Sequence, residues 1–160
     1  MTPASPPRPG PPRPSGRFAL APALALALAL AGCASGLATG PVERPQRYPD
    51  RTTAEAAWAS YLWAWREGDV EGLQATTGWR LRNDLELQLE KNGAEATSAW
   101  YRRDAEGLQV DAARWVERGE RLAYVRVRLS RAGVDPRELD FSLVARPDGW
   151  VVTGAKPAIQ

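Results

Sequence analysis

Two hydrophobic rhythms organise the chain between residue 51 and its end: a period of 3.6 up to about Asp104 and a period of two from Leu108 onward. In "TTAEAAWASYLWAWREGD", Trp58, Tyr61, Leu62 and Trp65 fall on one helical stripe, with Trp63 well off it. Thr52 followed three residues later by Glu55 reads as a capping box, the cap alone contributing on the order of 1 kcal/mol, and Gly68 supplies the stop. Asp69 caps a short second helix, "DVEGLQATTG". A third, "WRLRNDLELQLEKNG", aligns Leu81, Leu85 and Leu89 and ends at Asn92-Gly93. "AEATSAWYRRD" then adds a further turn or two, anchored by Trp100 and Tyr101.

Four segments follow with strand alternation: "LQVDAARWVE", "RLAYVRVRLSR", "RELDFSLVAR" and "WVVTGA". Arg118-Gly119, a loop near "AGVDP", and Pro147-Asp148-Gly149 connect them. Helices first and an antiparallel meander after them predict an α+β fold, with the N-terminal helices covering one face of a four-stranded sheet. One register satisfies every strand: Val110, Ala112, Ala123, Val125, Val127, Leu129, Leu139, Phe141, Leu143, Trp150 and Val152 all face the helices. Arg114 is the only ionisable residue this register points inward, near the end of its strand, where a β-bulge would turn it out.

The start of the chain has neither rhythm. Phe18 to Ala31 is an apolar run of 14 residues, rich in alternating Ala and Leu. A membrane-spanning helix needs roughly 20, whereas a signal-peptide core is about 7–15 long. Arg8, Arg13 and Arg17 precede it with no acidic residue, in a Pro-rich opening that cannot build a helix. Leu30-Ala31-Gly32-Cys33 closes the run and resembles the bacterial lipobox, in which the cysteine is lipidated and becomes the first mature residue. The alternative is an ordinary secretory signal with an incidental cysteine. The resemblance implies residues 1–32 as signal peptide, Cys33 as the lipid attachment site and 33–50 as a flexible tether, with the domain spanning 51–160. Ala34 after the cysteine implies an outer-membrane address facing the periplasm, if the source has two membranes. Each buried methylene of the acyl chains would add about 0.8 kcal/mol to anchoring.

Charge and composition change once the first 32 residues are set aside. The remaining 128 carry all 19 acidic and 18 of the 21 basic residues, so the formal charge moves from +2 to −1 and nucleic acid is not an expected partner. The chain has no histidine and no second cysteine, which removes the usual zinc sites, the commonest general base and any internal disulfide. No phosphate loop, nucleophile elbow or metal knuckle is present, and no cofactor is implied.

"TTAEAAWASYLWAWREGDVEGL" followed by "ERLAYVRVRLSR", "RELDFSLVA" and "PDGWVVTG" resembles the nuclear transport factor 2-like superfamily, over residues 51 to 155. These are the curved-sheet cones shared with ketosteroid isomerases and polyketide cyclases, and the likeness is greatest to small bacterial lipoproteins of unknown role. It implies a cone-like sheet with a pocket whose candidate residues here are Tyr61, Trp58, Trp65, Arg114, Phe141 and Trp150. Members often dimerise through the outer sheet face, which the register gives Trp115, Tyr124, Arg126, Arg128, Asp111, Asp140 and Ser142. On that face Arg126 is expected opposite Asp111 and Arg128 opposite Asp140, while Trp115, Leu122, Tyr124 and Val144 would cluster at one end. A solvated charge ladder is the plainer expectation, and a homodimer interface the sharper one.

The functional expectation is a lipid-anchored envelope domain that binds a partner protein, a second copy or an apolar small molecule without catalysis. The alternative is a pocket enzyme of isomerase or dehydratase type using Tyr61 and a carboxylate, signalled by Asp111 or Asp140 pointing into the cone. Of the seven tryptophans, periodicity assigns Trp58, Trp65, Trp100 and Trp150 to the core and leaves Trp63, Trp79 and Trp115 as surface candidates.

Overall fold

Short polar residues start the domain. In the computed structural model, which describes residues 42–159 and the backbone of Gly36–Leu37, helix α1 runs Ala54–Glu67. Its cap is Thr53, one residue later than expected: the Thr53 hydroxyl accepts the Ala56 amide at 3.1 Å. Thr52 instead donates to Asp50 at 2.8 Å, and Glu55 pairs with Arg118 at 3.2 Å. Gly68 ends α1 in the left-handed region, φ 62°, as the sequence predicts. Asp69 caps α2, Val70–Thr76, by accepting the Gly72 amide at 3.0 Å.

Helix α3 spans Trp79–Ala105 but is two segments meeting at Gly93, whose φ of 77° and ψ of 170° no helix contains. Asn92-Gly93 therefore acts as the expected stop, and the segment after it is a full helical arm. Thr97 bonds back across the break to the Gln88 carbonyl at 3.2 Å.

The sheet is antiparallel and ordered along the chain: β1 (Gly36–Leu37), β2 (Gln109–Arg118), β3 (Leu122–Arg131), β4 (Val134–Arg146) and β5 (Gly149–Pro157). The four long strands form an open sheet with the three helices on one face. The Thr77–Gly78 segment between α2 and α3 is tied to β5, the Gly78 amide donating to the Val152 carbonyl at 2.9 Å. The link near "AGVDP" is a tight two-residue turn at Ala132-Gly133, so β4 starts at Val134 rather than at Arg137.

The core sits where sheet and helices meet. Trp58, Leu62, Leu73 and Leu85 from the helices pack with Ala123, Val125, Val127, Leu129, Phe141, Leu143 and Val152. The inward sides of β3, β4 and β5 are therefore those the alternation predicts. β2 departs from it. Asp111 and Val116 are extra residues where the β2–β3 register slips, and one inserted residue reverses which face the next ones take. Ala113 and Trp115 thus face the core, Ala112 is exposed and Arg114 points outward, correcting the expected places of Ala112, Arg114 and Trp115.

The expected tether is also not free along its whole length. Val42 and Tyr48 pack against the core, Tyr48 donates to Asp69 at 2.6 Å, and the Asp50 amide donates to buried Ser60 at 2.9 Å. The signal segment and Cys33 lie outside the described residues.

Candidate functional site

The inward stripe of α1 forms a ladder of rings. Phe141 stacks 4.8 Å from Trp58, Trp58 lies 5.8 Å from Tyr61, and Tyr61 lies 6.2 Å from Trp65. Trp58 and Phe141 are buried in the core. Tyr61 and Trp65 end the ladder at a cleft of about 540 Å³.

The break at Gly93 builds the opposite wall. It lets both arms of α3 face α1, the first bringing Leu81, Asp84, Leu87, Gln88 and Lys91, the second Trp100, Tyr101 and Asp104. Leu87 and Trp100 are about half exposed, at 50% and 43%, which is unusual for side chains of their size. Trp100 meets Tyr101 edge-on at 4.9 Å. Trp100 was expected in the core and is instead at the rim of the cleft.

Polar groups converge on the floor of this cleft. The Trp65 indole N–H donates to Asp104 Oδ2 at 3.1 Å, fixing that carboxylate against the aromatic wall. Tyr61 is 8% exposed, and its hydroxyl makes no hydrogen bond among the described residues. Burial first, then Tyr101 and Asp104, push its phenol well above the ordinary tyrosine range. Tyr101 is raised in the same way, by burial and then by Asp84 and Asp104. Both phenols therefore remain protonated at neutral pH and can donate.

The six pocket candidates separate in space. Tyr61 and Trp65 border the cleft; Trp58 and Phe141 back it from the core. Trp150 borders a different depression, beside Arg51, Arg146 and Asp148. Arg114 is on the far side of the sheet. The sequence reading missed Asp84 and Asp104, because it sought charge on strands while these come from a helix. The signal was present as a polar stripe, Asp84, Gln88 and Asn92, running beside Leu81, Leu85 and Leu89.

The outer sheet face gathers Tyr124, Arg126, Arg128 and Asp140 as expected, without Trp115. Its pairing is the reverse of the expected one: Arg126 grips Asp140 with two hydrogen bonds, 2.7 and 2.9 Å, and Arg128 lies 4.0 Å from Asp111. The registers are the reason: β2–β3 pairing puts Arg126 level with Arg114, and β3–β4 pairing, set by the tight Ala132-Gly133 turn and a slip beside Ser130, puts it level with Asp140. Arg126 holds the Asp140 carboxyl below the usual carboxylate range. Lys156 sits 5.8 Å over the Tyr124 ring. Asp111 also accepts from Ser130 at 2.7 Å, so neither Asp111 nor Asp140 points into the cleft. Trp115 is packed against the core with its indole N–H buried and unbonded and Arg118 5.0 Å over its ring. Of the other surface candidates, Trp79 is 62% exposed and Trp63 half-buried.

Among the described residues no helix is long and apolar enough to cross a membrane, and no three acidic or cysteine side chains converge as metal ligands. No family model matches the chain, and no curated protein matches it. Among solved structures, the chain is similar to the solution structure of a SEC-C motif containing protein from Rhodopseudomonas palustris. The identity is 13% and the TM-score 0.41, over 67% of this chain and 80% of that one, a likeness too slight to carry a functional argument.

Proposed function

We propose that this protein is a lipid-anchored cell-envelope domain of the nuclear transport factor 2-like type, whose cleft binds a small, largely apolar ligand without chemical turnover. The observation that carries the binding reading is the cleft itself. Its volume of about 540 Å³ lies within the roughly 300–1,000 Å³ typical of small-molecule sites. Its walls set aromatic and aliphatic side chains beside nearly as many polar ones, and Leu87 and Trp100 remain in water at the rim, where a ligand would cover them.

The isomerase-type alternative asked for a strand carboxylate inside the cone, and Asp111 and Asp140 are both on the outer face. The carboxylate nearest Tyr61 in charge effect, Asp104, is engaged by Trp65. This favours binding over proton transfer. The outer face favours self-association less than expected: Leu122, Tyr124 and Val144 are each half-buried there, and the missing Trp115 removes the largest apolar anchor.

The anchor rests on Leu30-Ala31-Gly32-Cys33 and on the apolar run before it. Its test is detergent phase partition with labelled palmitate in a host that processes lipoproteins. The wild type should enter the detergent phase labelled and Cys33→Ala should not; equal partition of both would overturn the anchor. For binding, a native mass spectrum of the mature protein released from micelles should show a monomer with a reproducible small adduct, lost on Trp100→Ala. A bare monomer counts against the binding reading. A dimer lost on joint substitution of Tyr124 and Arg126 would move the function to the outer face.

A further inference from the structure

We infer that the ligand of this cleft is cationic: an apolar or aromatic amine whose ammonium group sits among Asp84, Asp104 and the Tyr61 hydroxyl. This rests on the reading of the cleft as a binding site and adds the charge of what it binds. Two carboxylates line the cleft against one cation, Lys91, so the space favours positive charge. Asp104 is the better placed of the two carboxylates. It makes no ion pair among the described residues, and Trp65 occupies one carboxylate oxygen while leaving Oδ1 available. Asp84 is more exposed and, among the described residues, has only Arg80, 3.9 Å away across a solvated helix turn.

Tyr61 is the independent observation. Its side chain is more than nine-tenths buried and lines the cleft, and its hydroxyl makes no hydrogen bond among the described residues, so the group is free to take a partner from the cleft. Its oxygen can accept an N–H from an ammonium, and its O–H can donate to a bridging water. The aromatic walls favour the same chemistry. Trp65, Trp100 and Tyr101 present rings to the cleft, and ring faces attract cations, best of all quaternary or alkylated ammonium groups whose bodies are apolar. An anionic ligand would instead meet two carboxylates and the same negative ring faces. A bare metal ion is a poorer match, because only two carboxylates reach the space and Gln88 is already engaged by Asn92 at 3.1 Å.

Lys91 has a distinct role in this arrangement. A cation on the wall opposes a second cation, so its removal should tighten amine binding while leaving neutral ligands unchanged.

The test uses the mature protein in lipid nanodiscs, with empty nanodiscs as reference, and tryptophan fluorescence as the readout. Three probes are titrated: benzyltrimethylammonium, its neutral isostere neopentylbenzene, and the anion 8-anilinonaphthalene-1-sulfonate. Benzyltrimethylammonium should bind about tenfold or more tighter than the neutral isostere, through charge and ring contacts alone, and Asp104→Asn should remove most of that advantage. Lys91→Met should strengthen benzyltrimethylammonium alone, and Trp100→Ala should weaken both. Asp84→Asn, at an exposed position, gives a second reading if Asp104→Asn fails to fold. Equal or tighter binding of the isostere or the anion, still sensitive to Trp100→Ala, would overturn the cation while leaving the cleft a binding site. Failure of all three probes to bind would overturn the binding reading itself.

Discussion

Arg126 and Asp140 show how far a single pair can be followed. The bidentate contact fixes both side chains on an open sheet face and lowers the carboxyl below its unfolded value, hydrogen bonding by Arg126 being the first cause. A lowered folded pKa means that the unfolded chain binds the proton more readily. The stabilisation is therefore complete above the unfolded value, about 3.9, and is lost as pH falls through the folded one. Urea unfolding at a series of pH values should show the stability gap between wild type and Asp140→Asn shrinking from pH 6 towards pH 3. A gap that stays constant would mean that the pair contributes nothing through ionisation. Thr53 offers a second residue-level test. Thr53→Ala removes the hydroxyl that accepts the Ala56 amide and should cost about 1 kcal/mol, whereas Thr52→Ala, outside that bond, should cost less. The opposite order in chemical denaturation would restore the cap to the position the capping-box spacing suggested.

At the level of elements, two glycines act in different ways. Gly68 ends α1 with a positive φ, and a Cβ there would collide with the Ser98 carbonyl and with Arg102, so α1 and the second arm of α3 approach closely only at glycine. Gly93 has open space around it, yet its φ and ψ belong to a region that is essentially glycine's alone. Gly93→Ala should therefore cost about 1–3 kcal/mol through backbone strain without any clash. Because the break aims both arms of α3 at α1, it should also weaken ligand binding in the cleft more than a stability loss of that size would. Denaturation and probe titration on the same variant check this; unchanged binding would mean that the cleft does not depend on the break. The β2 bulges are the strand counterpart. One inserted residue, Asp111, was enough to move Trp115 from the surface to the core and Arg114 the other way.

For the whole molecule, the ring ladder joins stability to the site. Trp58 is 2% exposed and packs between α1 and Phe141, behind Tyr61. Trp58→Ala should cost about 3–5 kcal/mol, a large share of the 5–15 kcal/mol by which domains are ordinarily stable, and the loss should be read as a lower urea midpoint. Trp100→Ala, at the rim of the cleft, should leave that midpoint nearly unchanged. Similar losses from both would place Trp100 in the core and close the cleft as a site.

What the sequence determined by itself was whatever depends on neighbours along the chain. The helical stripe of Trp58, Tyr61, Leu62 and Trp65, the stop at Gly68, the cap at Asp69, the break at Gly93 and the alternation of β3, β4 and β5 are local patterns, and each is in the structure. The α+β arrangement followed from their order. Tertiary structure decided what depends on counting residues across a gap. Alternation cannot show where a strand takes an extra residue or how tight a turn is, so Ala113 rather than Ala112 faces in and Arg126 found Asp140 rather than Asp111. Nor can a helical wheel show which helix lies opposite. Nothing along the chain singled out Asp84 and Asp104 as a pair; the two arms of α3 bring them to the same cleft as Tyr61 and Trp65. The site is built from side chains far apart in sequence, held together by packing, and only the folded chain brings them within reach.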